Sequence, residues 1–295
     1  MRERELLQRI ASRSADLPAS FGRVLVGPGD DCAVVAADPH PLLLTTDHLV
    51  QHRHFDDDLP LELVARKAVL RSVSDIAAMA GTPAWALATA LLPVCYAHAD
   101  QLFDHMAGFA REFGCPLVGG DIASLPPGSD GPVSLTVTVG GHAARPVLRS
   151  GAGAGDAVYA TGALGGSLRN ERHARAEPRI KLAQHLAGYL TAMIDLSDGL
   201  GIDAARVAQA SNVRIELDAR AIPVHPDADG MDAALGDGED YELLFTAPEN
   251  APIPAGFEGT PITRIGRVMS GEPAAILVSP DGSQRDVSAQ GFEHG

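Results

Sequence analysis

LELVARKAVLRSVSDIAAMAGTPAWALATALL, residues 61–92, reads as a helix that stops at a glycine and turns almost at once into a strand. Pro60 suits a helix start, because its missing N–H would be unpaired there anyway, and Gly81 marks the stop. Leu61, Val64, Ala68, Ser72, Ile76 and Met79 recur at helical spacing and make one face. The strand that follows is AWALATALL, 84–92. Working outward, residues 3–14 read as a charged amphipathic helix and 32–36 and 41–46 as short strands. Residues 98–113 read as a helix and PVSLTVTVGG, 132–141, as an alternating strand. Two strands, helix, strand, helix, strand is an α+β order, a sheet with helices on one face.

From residue 143 the composition changes to AARPVLRSGAGAGD, and the domain boundary is placed there, giving domains 1–142 and 143–295. The length agrees, since single cores stop growing at about 250–300 residues. The second half begins with the strand DAVYAT (156–161), with helices expected near 163–176 and 179–190. TAMID (191–195) leads into a helix at 198–210. Further strands are expected near 213–217, 241–246, 262–268 and 274–278.

The formal net charge of −15 argues against nucleic acid or an anionic membrane as partner. Cys32, Cys95 and Cys115 stand apart, with no C-x-x-C pair, so neither a disulfide framework nor a zinc site is expected and a reducing, cytoplasmic setting is. MRERELLQRIASRS lacks the apolar stretch of a signal peptide, and no apolar run reaches the roughly 18 residues of a membrane span.

The aspartates carry the chemistry. Asp30 and Asp31 lie in a Gly-rich turn, and LLLTTD puts Asp47 at the expected end of a strand. Period-two alternation gives Leu43, Thr45 and Asp47 one face and Thr46 the other, with Thr45 and Thr46 able to offer oxygens to the same ion. Asp75 falls seven residues after Ala68, about 20° away on the helix, so its carboxylate aims at the sheet. Such a group needs a cation, which Arg66, Lys67, Arg71 or a metal can supply. Asp121 ends CPLVGGD, where Gly119 and Gly120 would let a phosphate approach the backbone. MIDLSDGL places Asp195, Ser197 and Asp198 between a strand and a helix, with Ser197 as the expected N-cap. Carboxylate oxygens without clustered His or Cys select Mg²⁺, which takes only one or two carboxylates beside water and phosphate oxygens. Many spaced acids therefore suit several ions around a polyphosphate such as ATP. Two other motifs are set aside. DADGMDAALGDGED (227–240) lacks EF-hand spacing, and GAGAGD (151–156) is not followed by the Gly-Lys-Ser/Thr of a Walker A loop.

The joint order of GPGDDCAVV, TTDHLVQHRHF, ARKAVLRSVSDIAAMAGTPAW, LVGGD, RSGAGAGDAVYATGALG, EPRI, AMIDLSDGLGID and GDGEDYELLF resembles the thiamine-monophosphate kinases. These belong to a wider superfamily with aminoimidazole ribonucleotide synthetase, selenophosphate synthetase and a hydrogenase maturation protein. The resemblance implies an N-terminal sheet domain that pairs in a homodimer, a C-terminal α/β sandwich, and ATP bound between the domains. Carried over by position, it implies Mg²⁺ ligands at Asp31, Thr45, Thr46, Asp47, Asp75, Asp121, Asp195 and Asp198. It also implies ATP contacts at Gly120, Asp121, Arg149 and Ser197, and thiamine monophosphate contacts at His54 and Glu239. The implied reaction is direct in-line transfer of the ATP γ-phosphoryl to thiamine monophosphate, with no covalent nucleophile or base. Ser72, Ile122, Ala289 and Gly295 depart from the usual Asn, Thr, aromatic and Phe, with Phe292 a possible replacement aromatic. The alternatives are a purine-pathway cyclase-like enzyme and a non-catalytic nucleotide- or metal-binding paralogue.

Overall fold

The computed structural model describes residues 9–10, 12–28, 33–129 and 131–292. Asp30, Asp31 and most of the helix expected at 3–14 lie outside these, although 9–10 and 12–13 are helical. The chain divides into two compact units, residues 1–76 with 81–144, and residues 77–80 with 145–295.

The first unit is α+β. Its elements are α1 (Leu17–Ser20), β1 (Val24–Val26), β2 (Val34–Val35), β3 (Leu42–Val50), α2 (Leu61–Ala78), β4 (Thr82–Leu92), α3 (Ala99–Glu112), β5 (Leu117–Ser124) and β6 (Ser134–His142). The main sheet has the order β3-β6-β4-β5. Its first two pairings are antiparallel, and β4–β5 is parallel through the α3 crossover. β3 is longer than the sequence reading allowed. Its ladder with β6 runs from Leu42↔His142 to Val50↔Ser134, so Asp47 sits inside the strand and not at its end. β5 likewise continues past Asp121 to Ser124, held by β4.

α2 is buried on more sides than the single expected stripe. Residues 63–70, 72–74 and 76–78 are all buried, because α3 also packs on it, with the Arg66 guanidinium 5.8 and 5.3 Å from the Phe109 and Phe113 ring centroids. At its end the left-handed residue is Ala80 (φ 54°), while the Gly81 N–H donates to Ile76 O at 2.8 Å. Gly81 is needed for room, since a Cβ there would come within 2.5 Å of Leu43 Cδ1 and 2.9 Å of Ile76 O.

The second unit is a sheet with the order β14-β13-β9-β12-β7-β10-β8. The strands are β7 (Asp156–Thr161), β8 (Ala192–Asp195), β9 (Arg214–Asp218), β10 (Leu243–Pro248), β11 (Gly256–Phe257, paired only with β12), β12 (Thr260–Met269), β13 (Ala274–Val278) and β14 (Gln284–Asp286). The helices are α4 (Arg172–Arg175), α5 (Ile180–Leu186), α6 (Leu200–Ser211) and α7 (Met231–Gly236). α6 covers one face, packing Leu200, Ala204 and Ala208 with Val158, Ile194, Ile215 and Leu244. α5 covers the other, packing Leu182 and Leu186 with Met193, Leu243 and Phe245. Two covered faces explain why β8 and β10 are almost wholly apolar. The helix expected at 163–176 does not form. Gly162, Gly165, Gly166, Asn170 and Glu171 all have positive φ, leaving only a 3₁₀ turn at Arg169–Glu171 and the short α4.

Candidate functional site

In the first unit the pleat and one helix bring three of the expected oxygen donors together. Thr45 and Asp47 point to the α2 side of β3, and α2 sets Ser72 and Asp75, three residues apart on one helix face, over them. The Thr45 hydroxyl donates to Asp75 Oδ2. The Ser72 hydroxyl lies 3.0 Å from Asp47 Oδ2 and 2.8 Å from Val137 O, and Arg71 NH2 is 3.7 Å from Asp47 Oδ1. Nearby on α2, Arg66 lies over aromatic rings and the fully buried Lys67 donates to His54 O at 2.5 Å. These donors are all hard oxygens, and two carboxylates with a hydroxyl beside them fit Mg²⁺ completed by water and phosphate.

Thr46 points the other way and hydrogen-bonds Thr138 at 2.9 Å. Asp121 is exposed, in the cross-strand row His48–Thr136–Thr89–Asp121, whereas Asp47 belongs to the neighbouring row Asp47–Val137–Ala88–Gly120. By alternation Asp121 therefore faces away from Asp47. Three strand spacings also separate β3 from β5, about 14 Å. Within one chain Asp121 does not join Asp47 and Asp75. Gly120 is required for packing, because a Cβ there would lie 1.8 Å from Ala88 O. His54 is half-buried and accepts the Val50 N–H on Nδ1 at 2.9 Å, which puts a neutral ring's proton on Nε2.

In the second unit two loops converge. The Glu239 N–H donates to Ser197 O at 2.8 Å, the Tyr241 N–H to Leu196 O at 2.9 Å and the Leu196 N–H to Glu242 O at 2.8 Å. Asp195, buried, is the last residue of β8 directly before this junction, so Asp195, Ser197, Asp198 and Glu239 are neighbours. Glu239 and Tyr241 carry φ of 55° and 51°, a strained pair of the kind that gathers at functional sites. His173 Nδ1 lies 3.7 Å from Glu239 Oε2. Phe292 is half-buried, and its N–H donates to Asp198 O at 2.8 Å, so the C-terminal segment lies against the same turn.

Ser197 is not the helix cap. α6 starts at Leu200, and Oδ2 of Asp203 accepts the N–H groups of Ser197, Asp198 and Gly199, each at 3.1 Å. Asp203 has no exposed surface, and burial pushes its carboxyl up to about 6, against the pull of Arg206 and the backbone N–H groups. Asp240 is also pushed to about 6 by burial, although it accepts the Gly165 N–H at 3.1 Å and Arg172 NH2 at 2.9 Å. Asp203 carries a sequence signal, an acid in the first turn of an apolar helix, whereas Asp240 lies outside any helix and has no such signal. Arg149 is exposed, and its carbonyl accepts the Ser211 hydroxyl at 3.0 Å. That is the far end of α6, about 18 Å from the Ser197 turn at 1.5 Å per residue. Among the described residues no group of three or more His, Cys, Asp or Glu side chains forms a ready cation cage.

Residues 29–143 match the model of the AIR synthase related protein, N-terminal domain, and residues 150–278 that of its C-terminal domain. A thiamine-monophosphate kinase from Rhodopirellula baltica is 36% identical over 99% of this chain and 97% of its own length. One from Mycobacterium tuberculosis is 37% identical over 86% and 82%. The structure of AaThiL complexed with AMPPCP and TMP has a TM-score of 0.77 at 30% identity, covering 100% of this chain and 99% of that one. Hydrogenase maturation protein HypE in complex with ATP, TM-score 0.73 at 18% identity over 95% of each chain, shares the fold alone.

Proposed function

The chain belongs to the thiamine-monophosphate kinase family, and from that premise we propose that it transfers the γ-phosphoryl group of ATP to thiamine monophosphate, giving thiamine diphosphate and ADP. The observation that carries this reading is the near end-to-end match to curated kinases of that activity, joined to a structural relative that holds an ATP analogue and TMP. The acceptor phosphate has a second pKa of about 6 and is already an anion, so no base has to remove a proton and no covalent nucleophile is assigned. The barrier is repulsion between two polyanions. Mg²⁺ would supply the neutralising charge when bound; Asp47, Asp75 and Thr45 would hold an ion in the first unit, and Asp195 and Asp198 one in the second. Asp31 is proposed as a further ligand, with Gly120, Asp121, Arg149 and Ser197 toward ATP, while Thr46 and Asp121, which face away from Asp47, lie outside the Asp47–Asp75 ligand group. His54 and Glu239 are proposed to hold the acceptor, and Glu239 suits the cationic thiazolium.

A homodimer is part of the proposal. Leu42 and Leu44 are 59% and 62% exposed on the sheet face away from α2, Leu91 shares that face, and β3 is a sheet edge. A second copy covering this face would bury them. No helix among the described residues is long and apolar enough to cross a membrane. A cytosolic location, where ATP is available and the free thiols of Cys95 and Cys115 stay reduced, suits the activity.

The test is a discontinuous assay with ATP, Mg²⁺ and thiamine monophosphate, reading thiamine diphosphate and ADP by chromatography. The expected outcome is equal amounts of both, lost on chelation of Mg²⁺. ADP released with purine intermediates but not with thiamine monophosphate would replace this function by a cyclase-type one.

A further inference from the structure

α6 carries a device that the reaction as described does not use. Arg206 NH1 lies 2.5 Å from Asp198 Oδ2 and 2.6 Å from Asp203 Oδ1, one nitrogen shared by two carboxylates. The two acids are not equivalent. Asp203 is fully buried, and its other oxygen accepts three backbone N–H groups, so it cannot turn outward without dismantling the Ser197–Gly199 turn. Asp198 is a quarter exposed and stands in the turn itself. A divalent cation arriving at this turn can take Asp198 but not Asp203, and at Asp198 it meets a guanidinium already in place.

We propose that Arg206 is a positioning residue that holds the Asp198 carboxylate until a divalent cation displaces it, and then stays on Asp203. The exchange leaves no buried charge unpaired. Asp203 keeps its three N–H donors and its arginine, and Asp198 trades a monovalent partner for a divalent one. One arginine between two acids leaves the group at net −1, so the pair is preformed yet still attracts a cation. The inference rests on the reading of Asp198 as a cation ligand.

Mn²⁺ binding to the full chain, measured by the loss of its free electron-paramagnetic-resonance signal with and without AMPPCP, tests it. Arg206→Met should bind Mn²⁺ about fivefold more tightly than wild type without nucleotide, the size expected for a partly exposed ion pair. The gain should vanish in Arg206→Met/Asp198→Asn. Arg206→Lys, which keeps the charge but not the fork, should fall between. Unchanged or weaker Mn²⁺ binding in a folded Arg206→Met would overturn the proposal, and so would a gain that survives Asp198→Asn. Arg206→Gln replaces Arg206→Met if the latter does not fold, with the same expectation. Asp198→Asn alone separates the two readings. If it leaves Mn²⁺ binding intact, the ligand assignment fails; if it weakens binding while Arg206→Met changes nothing, only the arginine's role fails.

Discussion

Gly119 and Gly120 are neighbours in β5, yet one added methyl should be tolerated at the first and not at the second. A Cβ on Gly119 would meet Leu87 Cδ2 at 3.2 Å, the movable end of a side chain. A Cβ on Gly120 would meet the Ala88 carbonyl oxygen at 1.8 Å and its carbon at 2.9 Å, both fixed in the next strand. Close carbon–oxygen contacts sit near 3.3 Å, so β5 would have to move out by about 1.5 Å. A shift of that size breaks the ladder on either side. Two lost hydrogen bonds at about 1 kcal/mol each, with overpacking of about 1–3 kcal/mol, give a loss of about 3–5 kcal/mol for Gly120→Ala. For Gly119→Ala the expected loss is below about 1.5 kcal/mol. Because Asp121 is the next residue, Gly120→Ala should also raise the KM for ATP. Urea unfolding followed by circular dichroism, beside steady-state kinetics, reads both quantities. A Gly120→Ala protein as stable as wild type but unable to bind ATP would refute the packing argument. The glycine would then be there to admit a phosphate, as its sequence context alone suggests.

Two further outcomes follow from the acids. Asp75→Asn keeps the oxygen that accepts the Thr45 hydroxyl but removes a charge, so turnover should drop at least a hundredfold while unfolding moves by no more than about 1 kcal/mol; full activity at low Mg²⁺ would remove Asp75 from the ligand set. Asp240 has its carboxyl raised from 3.8 to about 6, so its contribution to stability is present below about pH 4 and is lost as pH rises to about 6. Arg172 opposes that rise, so Arg172→Gln should push the Asp240 carboxyl higher still and widen the loss, read by ¹³C NMR of the carboxyl carbon. An unmoved titration would mean that Arg172 does not act on Asp240.

How far the sequence reached depended on the range of the interaction concerned. The alternation in LLLTTD assigned Leu43, Thr45 and Asp47 to one face and Thr46 to the other, and the structure has them so, because a pleat is a local property of the chain. The length of β3 is not local. LLLTTD read alone ends the strand at Asp47, but the ladder to β6 continues through His48, where Thr136 Oγ1 lies 2.7 Å from the ring's Nδ1. The stretch 163–176, expected as a helix, forms none over most of its length. What undid it are carboxylates some seventy residues away, Asp240 on the Gly165 N–H and Asp237 on the Gly166 N–H, which hold those glycines in a left-handed course. The turn at Ser197 shows the same competition at short range. A serine before an apolar run is a reasonable cap, but Asp203 reaches back from inside the helix and takes three N–H groups with one oxygen. A charged acceptor bonds more strongly than a hydroxyl, and out of water each of its oxygens needs a donor: Oδ1 has Arg206, and Oδ2 takes those three groups once α6 covers the sheet. Burial thus decides which acid holds the turn, Asp203, and which stays partly exposed, Asp198, and burial is a property of the folded unit that no window of sequence contains.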